Sequence, residues 1–206
     1  MQHFLVTAGN IGVGKSTLTA LLAKRLDWTP VFEPHSDNPY LADFYQDMGR
    51  WSFHSQVFFL TERLDQHYKL AAYPGSVIQD RSIYEDAEIF AYNLYLLQHM
   101  TEREYATYQR LYKVTRAMLQ TPDLILYLRA SIETLQARIA LRGRDYEQAM
   151  SVDYLKQLSS LYDRWASSFT LCPVLTIECD PLDFVTRPAD VDRIATMVQD
   201  ALAKQV

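Results

Sequence analysis

The chain has little cysteine, no excess of basic charge and no long apolar run. Of its 206 residues only two are cysteine, Cys172 and Cys179. Both lack metal-ligand company, so they read as plain buried thiols, which fits a reducing cytoplasm. No stretch approaches the roughly 20 apolar residues of a membrane span. Lys and Arg number 20 against 25 Asp and Glu, a net charge of −5. That balance argues against a nucleic-acid polymer as partner but leaves room for a small phosphorylated ligand in a local basic site. The first strand starts at once, which leaves no room for a signal or transit peptide. There is no linker, repeat or low-complexity tract. The composition, 49% hydrophobic and 22% charged, is that of an ordinary globular protein, so residues 1–206 are expected to form a single domain.

What is present begins with Gly9-Asn10-Ile11-Gly12-Val13-Gly14-Lys15-Ser16, which fits the phosphate-binding pattern G-x-x-x-x-G-K-[ST] at every fixed position. An apolar stretch, Phe4-Leu5-Val6, precedes it. An amphipathic segment with Leu18, Leu21, Leu22 and Leu26 follows. Backbone N–H groups of such a loop converge on phosphate oxygens, aided by the helix N-terminus. Lys15 would reach the β- and γ-phosphates and Ser16 would ligate Mg²⁺. Further strands are expected at 29–33, 76–80, 123–129 and 173–178, besides 3–8. Helical patterns lie near 15–26, 38–48, 51–72, 83–98, 102–120, 131–142, 151–168 and 189–203. This alternation predicts an α/β fold, a parallel sheet covered by helices on both faces, with function at the carboxyl ends of the strands.

Several residues suit phosphoryl transfer to a hydroxyl. Glu33 closes the second strand and could accept the hydroxyl proton, although a strand-end acid is also simply solvated. Asp80, at the end of the third strand, could orient Mg²⁺ or its waters. Arg81 could brace the transferring phosphoryl group; an ion pair or a helix cap at Ser82 is the plainer alternative. Gln56 and Arg63, spaced i and i+7, share a helix face lined by Phe59 and Leu60, and a planar heterocycle would fit there. Asp86 and Phe90 repeat the theme at i, i+4, though such aromatics are often core. Arg138 and Arg142 share the face of a helix that Gly143 can end, with Arg144 beyond it. The cluster suits a lid of about 138–150 over donor phosphates, or an exposed basic helix end.

Together these residues resemble the deoxynucleoside kinase family, in its deoxycytidine/deoxyguanosine/deoxyadenosine kinase branch and of bacterial type. The resemblance runs from the glycine loop to about Tyr154. It rests on Gly9–Thr17, Glu33-Pro34, Asn38-Pro39-Tyr40-Leu41, Trp51-Ser52-Phe53, Gln56, Arg63, Asp80-Arg81-Ser82-Ile83-Tyr84, Asp86, Phe90 and Arg138–Arg144. It implies a P-loop kinase fold on a five-stranded parallel sheet with an Arg-rich lid. By the same resemblance the chain uses ATP and Mg²⁺ and works as a homodimer packed through residues 83–98 and 102–120.

The resemblance also implies roles. Glu33 takes the proton of the nucleoside 5′-hydroxyl. Arg81 holds the point where that oxygen meets the γ-phosphate, and Lys15 and the loop to Thr17 hold the donor. Gln56 pairs with the base, Phe90 stacks on it, and Arg63 and Asp86 read its outer edge. Tyr45 and Glu147 match positions that bind the sugar 3′-hydroxyl. Arg138 and Arg142 engage phosphates. Ser55 stands where relatives often carry Phe, which widens the pocket toward a purine. An ionised Asp86 accepts only, so it welcomes the amino group of adenine or cytosine and opposes the O4 of thymine. Deoxyadenosine is therefore expected first, with deoxycytidine and deoxyguanosine behind. The competing expectations are a nucleoside monophosphate kinase of thymidylate-kinase type and a nucleotide-binding switch without turnover.

Overall fold

The computed structural model describes residues 2–32, 38–71, 73–144 and 150–204. Its backbone contacts group the chain into two compact units. One comprises Met1–Glu33, Pro74–Arg81 and Thr121–Val206, and the other Pro34–Tyr73 and Ser82–Gln120.

The first unit is built on a five-stranded parallel sheet. Its strands are β1 (Phe4–Gly9), β2 (Thr29–Val31), β3 (Val77–Asp80), β4 (Leu124–Arg129) and β5 (Val174–Glu178), in the order β2-β3-β1-β4-β5. β1 lies at the centre. Phe4 pairs with Val77 on one side and Leu5 with Leu124 on the other. All six residues of β1 are buried, as a parallel strand covered on both faces must be. Strand side chains alternate between faces. On one face Leu5, Ile78, Leu126 and Ile177 meet Leu18 and Leu22 of α1 (Lys15–Leu26) and residues of the C-terminal helix in a single apolar cluster. On the other face Tyr127 stacks on Tyr162, with ring centroids 5.8 Å apart, and donates to Asp163 at 2.8 Å.

β2 is shorter than the expected 29–33. It forms the sheet edge and contains Pro30, which has no N–H to give to a ladder. Glu33 lies just past this strand, outside the described residues.

The second unit is helical. α2 (Leu41–Gln46) and α3 (Met48–Ala71) meet at Asp47, whose carboxylate accepts the Arg50 N–H at 3.0 Å and so caps α3 three residues before the expected start. The expected single helix over 83–98 is a composite. α4 (Ile83–Glu85) runs into a π-helical turn, Asp86–Ala91, and then into α5 (Tyr92–Leu96). Asp86, Ala87, Ile89 and Ala91 are all buried within that turn. Their spacing follows no clean 3.6-residue period, and a π turn follows from packing that periodicity does not report. α6 (Glu102–Met118) starts at a capping box made by Thr101 and Glu104.

The remaining helices, α7 (Ile132–Arg142), α8 (Val152–Ser168) and α9 (Pro188–Ala203), complete the first unit. Gly143 ends α7 at φ 68°, the C-cap expected of it. No helix among the described residues is long and apolar enough to cross a membrane.

Leu126 is fully buried at the centre of the core, whereas Leu141 is 89% exposed. Leu126→Ala is expected to lower unfolding stability by about 2–5 kcal/mol. Leu141→Ala is expected to change it by less than about 0.5 kcal/mol. Urea denaturation of the two variants checks both.

Candidate active site

β1 has to become α1 within the five residues Asn10–Gly14, and the glycines make that possible. Gly14 caps α1 at φ 102°, and Gly12 sits at φ 82°, in the left-handed region that side chains disfavour. A Cβ on Gly12 would lie 2.7 Å from Ile139 Cγ1 and 2.9 Å from the Leu135 carbonyl oxygen, so α7 itself presses on the loop. α1 has no acid in its first turn and carries Lys24 and Arg25 in its last. Its N-terminal positive potential is therefore left available to an anion.

The Lys15 ammonium is buried and donates to the carbonyls of Gly9 at 2.7 Å and Asn10 at 2.9 Å. The Ser16 hydroxyl donates to Asp80 Oδ2. Asp80 is 1% exposed, and its other oxygen, Oδ1, is buried with no hydrogen-bond partner. An anionic oxygen without a donor, next to a hydroxyl, suits a hard dication with oxygen ligands. Among the described residues no group of three His, Cys, Asp or Glu could hold a metal by itself. Mg²⁺ is commonly held by only one or two protein groups together with phosphates and water, so Ser16 and Asp80 fit it. Arg81 follows at φ 67°, a conformation rare for a non-glycine residue, with its N–H donating to the Thr7 carbonyl at 3.0 Å. Backbone held in such a region concentrates at functional sites.

Of the arginine cluster, Arg138 is the one whose contacts are defined. Its guanidinium donates to the carbonyls of Val13 at 2.6 Å, Cys179 at 3.2 Å and Leu182 at 3.3 Å, and its carbon lies 5.9 Å from the Phe184 ring centre. It was expected to engage phosphates. Here it ties the glycine loop to the segment after β5. Arg142 closes α7 on an exposed face, and Arg144 is half-buried just after it. Glu147 lies outside the described residues.

The base-reading candidates assemble in the second unit. Arg63 of α3 and Asp86 of the π turn form an ion pair, Nε to Oδ2 at 3.2 Å, with side chains only 1% and 4% exposed. Burying two charges is tolerable only when they are paired. Arg63 also donates to Gln66 Oε1 at 3.2 Å. Gln56, also on α3, is 5% exposed and its Oε1 is buried without a hydrogen-bond partner. Asn38 Nδ2 donates to the hydroxyl of Ser55 at 3.1 Å, so the small residue beside Gln56 is held rather than loose. Ser82 and Glu85 form a capping box that fixes the start of α4 at Ile83, three residues before Asp86. Phe90 is half-buried, between the fully buried Ile89 and Ala91. Tyr45 is half-buried on α2, edge-on to Phe44 at 5.1 Å.

Two neighbours of this cluster escaped sequence reasoning. Gln66 is one polar residue among many on a long helix. Tyr108 is fully buried, and its hydroxyl is pushed well above its usual pKa, first by burial and then by the charge of Asp86. Tyr105, Tyr108 and Tyr112 recur along α6 like ordinary core aromatics, so only the fold reveals which one feels the charge of Asp86.

The family model for deoxynucleoside kinase matches residues 5–203. The chain is 39% identical to a deoxyadenosine/deoxycytidine kinase of Bacillus subtilis, over 97% of this chain and 94% of that one. It is 34% identical to a deoxyguanosine kinase of the same organism, over 97% of each. Among solved structures it superimposes on a deoxyadenosine kinase from M. mycoides with bound dATP, at a TM-score of 0.85 and 27% identity, covering 96% of this chain and 100% of that one.

Gly12→Ala would strain the backbone and push a methyl group into α7. The expected outcome is a stability loss of about 1–3 kcal/mol together with weakened binding of a nucleoside triphosphate. Thermal melts with and without nucleotide check both parts.

Proposed function

The chain belongs to the deoxynucleoside kinase family, and from that premise we propose that its preferred acceptor is deoxyadenosine, with deoxycytidine and deoxyguanosine next. The enzyme transfers the γ-phosphoryl group of ATP to the 5′-hydroxyl of a deoxynucleoside, on a P-loop kinase fold. The observation that carries the choice of base is the buried Gln56 Oε1, an acceptor with no donor, on the same helix as Arg63 in its pair with Asp86. An unpaired buried acceptor is unfavourable by about 1–3 kcal/mol, so a base that donates a proton there is favoured, and the Asp86 carboxylate, which only accepts, selects an amino group over the O4 of thymine. The M. mycoides neighbour is seen with dATP and, in other structures, with dCTP or dCMP, in keeping with adenine and cytosine both being accepted.

In this reading the 5′-oxygen attacks the γ-phosphorus as the bond to the β,γ-bridging oxygen breaks, and ADP leaves. Glu33 accepts the hydroxyl proton. Arg81 and Lys15 stabilise the charge that develops on the phosphoryl oxygens, and the N–H groups of Gly12–Thr17 hold the donor phosphates. Ser16 and Asp80 would hold Mg²⁺, which when bound neutralises phosphate charge. Gln56, Arg63 and Asp86 orient the base, Phe90 stacks on it, and Tyr45 and Glu147 hold the 3′-hydroxyl. Arg142 and Arg144 serve the donor phosphates from the lid. Residues 1–206 act as one kinase domain in a reducing, cytoplasmic setting. The enzyme pairs with a second copy through α6, whose Leu111, Val114 and Met118 form an exposed apolar stripe at helical spacing.

A panel of the four deoxynucleosides with ATP and Mg²⁺ tests the reading. Deoxyadenosine is expected to give the highest kcat/KM and thymidine the lowest, by about 10²-fold or more. Turnover of deoxyadenosine monophosphate alone would point instead to a monophosphate kinase. Glu33→Gln is expected to retain deoxynucleoside binding while kcat drops by about 10²–10⁴. Unchanged turnover in that variant removes Glu33 from the mechanism.

A further inference from the structure

Asn10 is the second residue of the glycine loop, and the phosphate-binding pattern asks nothing of its side chain. In the structure that side chain is 4% exposed and fully engaged. Its Oδ1 accepts the Ile11 N–H at 2.7 Å. Its Nδ2 donates to the Leu155 carbonyl at 2.9 Å and to the Ser159 hydroxyl at 2.8 Å, both on α8. A peptide N–H can only donate and a peptide carbonyl can only accept, so these partners permit one orientation of the amide.

The main-chain carbonyl of the same residue accepts the Val13 N–H at 3.3 Å and the Lys15 ammonium at 2.9 Å. A single residue thus joins α8 on one side to the turn and to the phosphate-seeking lysine on the other.

We propose that Asn10 is a positioning residue for phosphoryl transfer, its side-chain amide clamping the phosphate loop to α8 and so setting where Lys15 and the loop N–H groups point. The tie spans 145 residues of sequence to Leu155 and 149 to Ser159, so it does not form by local folding of the turn. A loop whose donors must converge on tetrahedral phosphate depends on such bracing, because small misplacements of binding groups weaken transition-state contacts steeply. Neither hydrogen bond reaches the residues assigned to the acceptor. Loss of the clamp should therefore be felt by the donor nucleotide and not by the deoxynucleoside.

The inference rests on the kinase reading above, and the experiment separates the two. Asn10→Ala, Ser159→Ala and Ser159→Thr are compared with the wild type for kcat, for KM of ATP and of deoxyadenosine, and for ATP affinity by calorimetry without acceptor. Wild-type turnover tests the kinase reading, and the calorimetry needs no turnover at all. Asn10→Ala is expected to raise KM and Kd for ATP by about tenfold or more and to lower kcat, with KM for deoxyadenosine within about twofold. Ser159→Ala, which removes one of the two contacts on α8, is expected to move the ATP values two- to fivefold, on the order of one hydrogen bond. Ser159→Thr keeps the hydroxyl and is expected to match the wild type. Equal effects on both substrates, or wild-type ATP values in Asn10→Ala, would overturn the proposal. So would an Asn10→Ala protein that does not fold alongside a Ser159→Ala protein with wild-type ATP values.

Discussion

The tight passage from β1 to α1 is the constraint on which the rest of the first unit depends. The chain leaves the centre of a parallel sheet at Gly9 and is helical again by Lys15. A turn that short, with its N–H groups facing one concavity, has few hydrogen bonds of its own to hold it. The braces come from distant sequence. Ile139 and Leu135 of α7 press on Gly12, Arg138 grips the Val13 carbonyl, and α8 holds Asn10. Asp80, from the neighbouring strand, takes the Ser16 hydroxyl. The sheet supplies rigidity because β1 has partners on both sides and apolar cover on both faces. Chemistry needing a fixed array of donors is thereby placed on the least deformable part of the fold.

The sequence pattern conveys this arrangement only in part. The glycine motif, the alternation of apolar strands with helices and the acid at the end of β3 each have a local signature. The parallel sheet and the cap at Gly143 follow from them. The roles of Asn10 and Arg138 do not. A side-chain amide seated on a helix 145 residues away, or a guanidinium committed to three carbonyls, leaves no periodic trace. The π turn was invisible for a related reason. The turn packs against α3 and α6, and its residue types are those of an ordinary helix. Helical spacing sets Gln56 on the face of Arg63, and the resemblance brings Arg63 and Asp86 to one edge, where the structure pairs them; neither signal reaches Tyr108.

The second unit solves a different physical problem. In the proposed role, the edge of a flat heterocycle is read there by groups that are themselves out of water. Capping boxes at Ser82 and Thr101 set the helix starts, so that Asp86 and Tyr108 arrive at fixed heights on their helices. The Arg63–Asp86 pair can remain buried because each charge answers the other. A recognition surface of this type is selective because it is intolerant. In the proposed role, whatever enters has to complete a hydrogen-bond pattern that is already specified on the protein side.

That intolerance has a consequence for how such an enzyme can diverge. An ancestor that exchanged only Arg63, or only Asp86, would carry a lone ion in the protein interior. The deficit, about 3–5 kcal/mol, is a large fraction of the roughly 5–15 kcal/mol by which a native fold is held. Inheritance one substitution at a time must therefore cross a poorly folded intermediate, or else wait for a prior gain in stability elsewhere in the chain. The two residues are bound to one another as a historical unit, and a lineage that changes one is expected to have replaced both together.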